Sequence, residues 1–289
     1  MYAMLIDGKK IANYLLALLK KERKKIKKPI GLSVFLIGSS PEQLSFVKIK
    51  SEMAKALKVN FKLIHLKTTP NFIDFANLLK KEVGNRDVSG VIIQQPLPAQ
   101  LSTNSIYDYI PLTKEIEGHK KKSEFIFPLG LAVMTIIKYI YDGKRKQDSL
   151  FVDLIRDRLL FKKILKSKKI IVVGRGITGG KPIGKTLGDL NINYININST
   201  TIGPESYYIT ADLIITAVGK KVIEPAMLKP GVVLINTGVR KENGKLKGDY
   251  EEKDIKDVAS YYTPTPGGSG PIDVVYLYKN LIDAAKMQK

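Results

Sequence analysis

Four β-branched apolar residues, Ile170-Ile171-Val172-Val173, pass without a break into Gly174-Arg175-Gly176-Ile177-Thr178-Gly179-Gly180 and then into a helical stretch starting near Pro182. No other feature constrains the fold as much. A G-x-G-x-x-G spacing between strand and helix uses glycine because the turn is tight and a pyrophosphate must approach its backbone closely. The helix start beyond it offers N–H groups and the positive end of a dipole to a phosphate. A glycine-rich connection without a ligand is the plainer alternative, but the strand before and the helix after favour a nucleotide.

Strand-length apolar runs recur along the chain: Ser33–Ile37, Phe61–Leu66, Gly90–Gln94, Ile170–Val173, Tyr194–Ile197, Leu213–Ala217 and Val232–Asn236. Helical stretches lie between them at Gly8–Lys25, Pro41–Leu57, Asn71–Val83, Leu129–Tyr141 and Pro182–Leu190. Short Val/Ile-rich strands alternating with helices predict an α/β protein with parallel sheets covered on both faces. A long middle stretch separates the first three strands from the last four. The expected architecture is therefore two α/β lobes, the second a Rossmann-type dinucleotide-binding domain, with the active-site cleft between them. The predicted boundaries are 1–140 plus 270–289 for the first lobe and 141–269 for the second. The closing VVYLYKNLIDAAKMQ reads as one amphipathic helix returning to the first lobe.

Composition agrees with a folded protein of 289 residues, 44% hydrophobic and 26% charged. The longest apolar run falls short of a membrane helix, the N-terminus lacks a signal's basic-then-apolar order, and no cysteine is present. Disulfides, thiolate metal sites and cysteine nucleophiles are excluded. No membrane partner is expected, and the default location is the cytoplasm. The net charge of +21 first suggests nucleic acid. The basic residues are spread out, however, dense only at Lys20–Lys28 and Lys120–Lys122, and no zinc-finger, helix-turn-helix or aromatic-basic RNA pattern accompanies them. We expect no nucleic-acid partner; a positive field also draws in small anionic ligands.

An NAD site usually carries Asp or Glu about 20 residues beyond the glycine turn, on the ribose 2′-hydroxyl. That strand end reads Asn196-Ile197-Asn198-Ser199-Thr200-Thr201. It has no carboxylate to repel a 2′-phosphate, and Arg175 supplies a guanidinium suited to one. NADP is the expected cofactor; an ordinary polar turn is the other reading of Ser199 and Thr200.

In the first lobe, Pro41 is placed to begin a helix on which Phe46 and Lys50 share a face. A lysine aimed into a ligand site can act as acid or base, although most helical lysines are merely solvated. Gly90-Val-Ile-Ile-Gln94-Gln95-Pro96-Leu97-Pro98 is more specific: a strand ends in two amides and a Pro-x-Pro turn, at the sheet edge where ligands bind. Thr263-Pro-Thr-Pro-Gly-Gly-Ser-Gly-Pro271 is either a backbone-rich loop for a flat polar heterocycle or a hinge. His65 and His119 have no paired spacing, so no metal is expected.

In order along almost the whole chain, these motifs resemble the methylenetetrahydrofolate dehydrogenase/cyclohydrolase family. Ile6-Asp7-Gly8-Lys9-Lys10-Ile11-Ala12 is similar to its opening. Lys50 matches the lysine of its tyrosine-x-x-x-lysine pattern, Gln94 to Pro98 its glutamine-x-proline-leucine-proline strand end, Gly174 to Pro182 its dinucleotide loop, and Pro264 to Pro271 its proline-x-proline-glycine-glycine-x-glycine-proline segment. The resemblance implies hydride transfer from 5,10-methylenetetrahydrofolate to NADP, then hydrolysis of the methenyl product to 10-formyltetrahydrofolate. It implies Lys50 and Gln94 as catalytic residues. Phe46, Glu117, Pro266, Gly267, Gly268, Gly270 and Pro271 fall on the folate side. Gly174, Arg175, Gly176, Gly179, Gly180, Lys181, Pro182, Ser199, Thr200 and Gly238 fall on the NADP side. A homodimer is implied as well.

The chain departs from the family pattern mainly around the pterin. Phe46 stands for its tyrosine, Glu117 for an aspartate, Gly176 for the loop serine, Asn236 for an aspartate and Asp273 for a threonine. The loop after Gly118 is shortened to HKKKSEFI, and a basic amphipathic stretch at 148–166 has no counterpart. The expectation is that NADP binding is kept while the pterin carrier is modified or the cyclohydrolase step weakened. A monofunctional dehydrogenase on a modified carrier, or a relative that only binds NADP, is the alternative.

Overall fold

The computed structural model describes residues 3–38, 40–142 and 150–288. In chain order the strands are β1 (Met4–Leu5), β2 (Gly31–Ile37), β3 (Asn60–Leu66), β4 (Gly90–Ile93), β5 (Ile170–Val173), β6 (Ile195–Ile197), β7 (Leu213–Thr216), β8 (Val233–Asn236), β9 (Arg240–Glu242), β10 (Lys245–Lys247) and β11 (Tyr261–Tyr262). The helices are α1 (Gly8–Lys24), α2 (Pro41–Leu57), α3 (Phe72–Val83), α4 (Pro128–Tyr141), α5 (Arg158–Leu165), α6 (Gly180–Asp189), α7 (Glu205–Tyr208), α8 (Glu252–Ile255) and α9 (Ser269–Met287). Every strand expected from the sequence is present, and the alternation with helices makes the protein α/β.

The chain divides into two compact units, one of residues 1–15 and 129–273, the other of residues 16–128 and 274–289. This division gives the first fifteen residues and most of α4 to the nucleotide-type unit, where the sequence-based boundaries put them with the other lobe.

In the unit of residues 16–128 and 274–289, three parallel strands lie in the order β3-β2-β4. All seven residues of β2 are buried, as befits a central strand covered on both faces. Phe35, Phe75, Leu79, Val91, Ile93 and Ile106 belong to one core cluster there. From Val274 onward, α9 packs within this unit: the Asn280 side chain donates to the carbonyls of Ile116 (2.8 Å) and Ile126 (3.0 Å).

The other unit contains a six-stranded sheet, β1-β11-β8-β7-β5-β6, parallel at every pairing. From β5 the chain moves to β6 on one side and then to β7 on the other. The carboxyl ends of β5 and β7 are thus the point where strand order reverses, and a crevice opens there in such sheets. Two-residue strands β1 and β11 extend the sheet beyond what the sequence pattern shows, and β9 and β10 form a separate hairpin.

Two boundaries move. Helix α6 starts at Gly180, not near Pro182, so Pro182 sits in the first turn, where its missing N–H costs nothing. Helix α9 starts at Ser269 and takes in Gly270 and Pro271, which the sequence reading left in a loop. In the stretch at 148–166, Asp148 and Ser149 lie outside the described residues. The remainder is anchored by buried Leu150, Val152, Phe161 and Leu165 and by the buried pair Lys138–Asp157 at 2.9 Å. Burial alone would raise the Asp157 carboxyl, but hydrogen bonds from Arg156 and Lys138 outweigh it and hold the group below its ordinary value.

Candidate active site

On α2, Ser40 caps the helix in a reciprocal box with Gln43. Gln43 also donates to the Pro96 carbonyl at 2.9 Å, tying the helix start to the turn after β4. Lys50 lies farther along α2, and its Nζ donates to Gln94 Oε1 at 2.8 Å. Gln94 is buried at the end of β4 and spends its own N–H on the Gln95 carbonyl (2.9 Å), which turns its oxygen toward the lysine. Tyr278 of α9 donates to the Lys50 carbonyl at 2.6 Å. The amine is therefore held at both its tip and its backbone, a fixed proton donor or acceptor. Phe46, one turn earlier, is exposed.

The pair continues into a second cluster. Gln95 donates to the Tyr107 hydroxyl at 2.9 Å, the Tyr107 ring stacks on His119 with centroids 4.4 Å apart, and His119 Nε2 lies 3.8 Å from Glu117 Oε2. Beneath this loop the Glu115 carboxylate accepts from the backbone N–H of Glu117 (2.9 Å) and of Lys120 (3.4 Å). Burial pushes the Glu115 carboxyl up despite those bonds. The half-buried Glu117 thus belongs to the same connected cluster as Lys50 and Gln94.

In the other unit the glycine turn stands at the strand-order reversal. Gly174 has φ +108, and a Cβ there would lie 2.6 Å from the Ala217 carbonyl oxygen of the loop after β7, so only glycine suits both conformation and space. Its carbonyl accepts from Asn196 at 2.7 Å, which binds the turn to the end of β6. The N–H groups of Gly179 and Lys181 both donate to the Gly176 carbonyl, leaving Arg175 to Thr178 as the exposed face of the turn. Gly176 has open space around it. Gly180 and Pro182 are buried and Lys181 is exposed. Ser199 and Thr200 are exposed in a turn that Asn198 organises, accepting from the Thr200 N–H (3.0 Å) and hydroxyl (2.7 Å). With a crowded turn, open space at Gly176, Arg175 exposed and no carboxylate from 196 to 201, these residues fit a dinucleotide with an anionic ribose.

The 264–268 loop is in this same unit. Gly267 has φ +107, the Thr265 N–H donates to Glu252 at 2.9 Å, and Ser269 Oγ donates to the Asn236 carbonyl at 2.9 Å. At its far side the Lys9 N–H donates to the Gly267 carbonyl at 3.2 Å. Pro266 is exposed and Gly268 buried. Gly270 and Pro271, contrary to expectation, belong to the first turn of α9.

Two family profiles match the chain: the tetrahydrofolate dehydrogenase/cyclohydrolase catalytic domain over residues 6–117, and the NAD(P)-binding domain of the same family over residues 154–289. A bifunctional protein FolD of Bacillus licheniformis is 32% identical over 99% of this chain and 98% of its own length, and one of Bacillus subtilis is 31% identical over 99% of each. This chain is a member of the tetrahydrofolate dehydrogenase/cyclohydrolase family. Its fold is that of the bifunctional dehydrogenase/cyclohydrolase of Campylobacter jejuni, with a TM-score of 0.85 at 24% identity over 99% of this chain and all of that one. The Trypanosoma brucei enzyme, solved with NADP and an inhibitor, gives 0.83 at 20% identity, covering 99% and 98%.

Within this family member, the sequence alone did not bring Tyr107, Glu115 or His119 into the cluster. The adjacent amides Gln94-Gln95 were the one local signal, since two amides at a strand end need two sets of partners. Tyr107 meets Gln95 and His119 across longer stretches of chain, and nothing local marks it.

Proposed function

We propose that the protein oxidises 5,10-methylenetetrahydrofolate with NADP and hydrolyses the methenyl product to 10-formyltetrahydrofolate. The observation that carries this reading is the Lys50–Gln94 contact of 2.8 Å, in a unit matching the family's catalytic domain. NADP, when bound, supplies the hydride acceptor. Arg175, Gly176 and the turn of Ser199 and Thr200 would hold it, and the open space at Gly176 lets its pyrophosphate come near the backbone.

In the hydrolytic step, water adds to the methenyl carbon and the ring opens, which requires a proton to leave one site and reach another. Lys50 moves that proton, and Gln94 keeps the amine pointed at the reacting position. Glu117 orients the pterin by accepting from its ring N–H groups. The one-carbon centre carries positive charge after hydride loss, and the Gln94 oxygen that holds the Lys50 amine is a neutral acceptor. The exposed Phe46, with no hydroxyl to offer, favours a second reading in which hydrolysis is slower than oxidation. A homodimer in the cytoplasm completes the proposal, supported by the family resemblance and by edge strand β3, whose Leu63 is exposed.

The test is an absorbance assay of purified protein with NADP and 5,10-methylenetetrahydrofolate, reading NADPH directly and methenyl-pterin again after acid. NADPH without lasting methenyl product is expected. Accumulating methenyl would support the slow-hydrolysis reading, and no NADPH at all would overturn both.

A further inference from the structure

Asp249 is fully buried between β10 and α8, yet none of the chemistry above uses it. Its two carboxylate oxygens accept from consecutive backbone N–H groups of the loop after β7, Val218 at 2.8 Å and Gly219 at 2.9 Å. Its own N–H donates to Asn236 Oδ1 at 3.0 Å. Asn236 has every polar group of its amide engaged: its oxygen also accepts from Thr216 Oγ1 (2.8 Å), and its nitrogen donates to the Gly238 carbonyl (2.7 Å) and Thr265 Oγ1 (2.6 Å). Gly238 lies against the Asp249 carboxylate, and a Cβ built at Gly238 would fall inside that group.

The loop that Asp249 grips is the one beneath the glycine turn. Ala217, at its start, crowds Gly174, and its Cβ would lie 2.9 Å from a Cβ at Gly179. A carboxylate desolvated at this depth is costly unless its oxygens are satisfied, and two N–H groups of one loop satisfy them here.

We propose that Asp249 is a positioning residue for the nucleotide: it fixes the β7 loop against the glycine turn, and Gly238 is glycine in order to admit that carboxylate rather than to touch the cofactor. This rests on the NADP reading. It gives Gly238 a different role from the one the family resemblance implies, because the nearest obstacle to a side chain there is Asp249.

The two roles separate in a double-mutant cycle read by calorimetry of NADP binding, with thermal unfolding alongside. Asp249→Ser and Gly238→Ala are each expected to raise the NADP Kd at least tenfold, the first by releasing the loop, the second by pushing the carboxylate out of place. If Gly238 only admits Asp249, Gly238→Ala adds less than threefold once Asp249→Ser has made room. Multiplying effects would overturn the proposal, because Gly238 would then act on NADP directly. An unchanged Kd in Asp249→Ser, with only the melting temperature lowered, would overturn it too. Should the variants fail to fold, hydrogen exchange on the wild-type protein without NADP decides. The Val218 and Gly219 amides are expected to be protected before ligand arrives, and free exchange there would sink the idea. Absence of NADP binding by the wild type would overturn the cofactor reading itself, whereas wild-type binding matched by Asp249→Ser removes only this inference.

Discussion

The two candidate sites in this protein are made of different material. Around Lys50 the candidate groups are side chains: an amine on one amide, Gln94, and a second amide, Gln95, followed by a phenol, an imidazole and a carboxylate, with the Gln95 carbonyl joining the two halves. Around Gly174 they are backbone, with side chains such as Asn196 and Asp249 serving to hold that backbone still. A site of the first kind is broken by removing atoms. A site of the second kind is broken by adding them.

The largest expected effect tests the first half of that contrast. Lys50→Met should cost the hydrolytic step roughly 10²–10⁴-fold, the usual range for losing a positioned acid or base, while the NADP Kd stays within twofold of wild type. Stopped-flow decay of methenyl absorbance and calorimetry together check it; a parallel loss of NADP affinity would break the distinction.

Next in size is a buried charge pair. Asp157→Asn removes the carboxylate that accepts from both buried Lys138 and Arg156, for a loss of about 3 kcal/mol near neutral pH. The Asp157 carboxyl is depressed below its ordinary 3.8, so its contribution is present above that value and disappears as pH falls through the lowered one. Denaturant melts of both proteins should therefore converge only in strong acid, and a gap that persists there would show that packing, not charge, was lost.

Adding atoms to the nucleotide turn comes third. Gly174→Val places a β-branched side chain at positive φ and against the Ala217 carbonyl, a cost of about 2 kcal/mol. A roughly thirtyfold weaker NADP Kd with unimpaired hydrolysis of added methenyl-pterin is the expected outcome.

Smaller still, Phe46→Tyr restores a hydroxyl one turn from Lys50 and should speed hydrolysis roughly two- to tenfold, about one hydrogen bond's worth. No change would mean that Lys50 and Gln94 suffice without it. Gly176→Ser should do least. No atom lies within 4 Å of the added Cβ, so stability should stay within about 0.5 kcal/mol and NADP affinity within twofold.

What the sequence made legible follows from the same contrast. The strands β2 to β8 and the glycine turn were readable because their causes are local: short, largely apolar runs, then residues without side chains. Strands β1 and β11 were not, since two residues become a strand only by finding a partner far along the chain, as Met4 and Leu5 do with Tyr261 and Tyr262. Helix α9 began earlier than its apolar pattern, because Ser269, Gly270 and Pro271 make a first turn without apolar periodicity. Lys50 with Gln94 was readable through family resemblance alone, 44 residues apart. His119 and Asp249 carried no such signal, because their partners Tyr107, Val218 and Gly219 are remote in the chain.

The pairing of β1 with β11 also has a consequence for how the chain is made. Met4 and Leu5 leave the ribosome some 250 residues before Tyr261 and Tyr262, at the elongation rates of cells tens of seconds earlier. One edge of the six-stranded sheet must wait that long for its neighbour. The unit that contains Lys50 waits as well, for the part of α9 that begins at Val274. Neither unit is one continuous stretch of gene, so no single cut in the coding sequence leaves both of them whole, and the nascent chain has to keep its early segments from aggregating until α9 emerges.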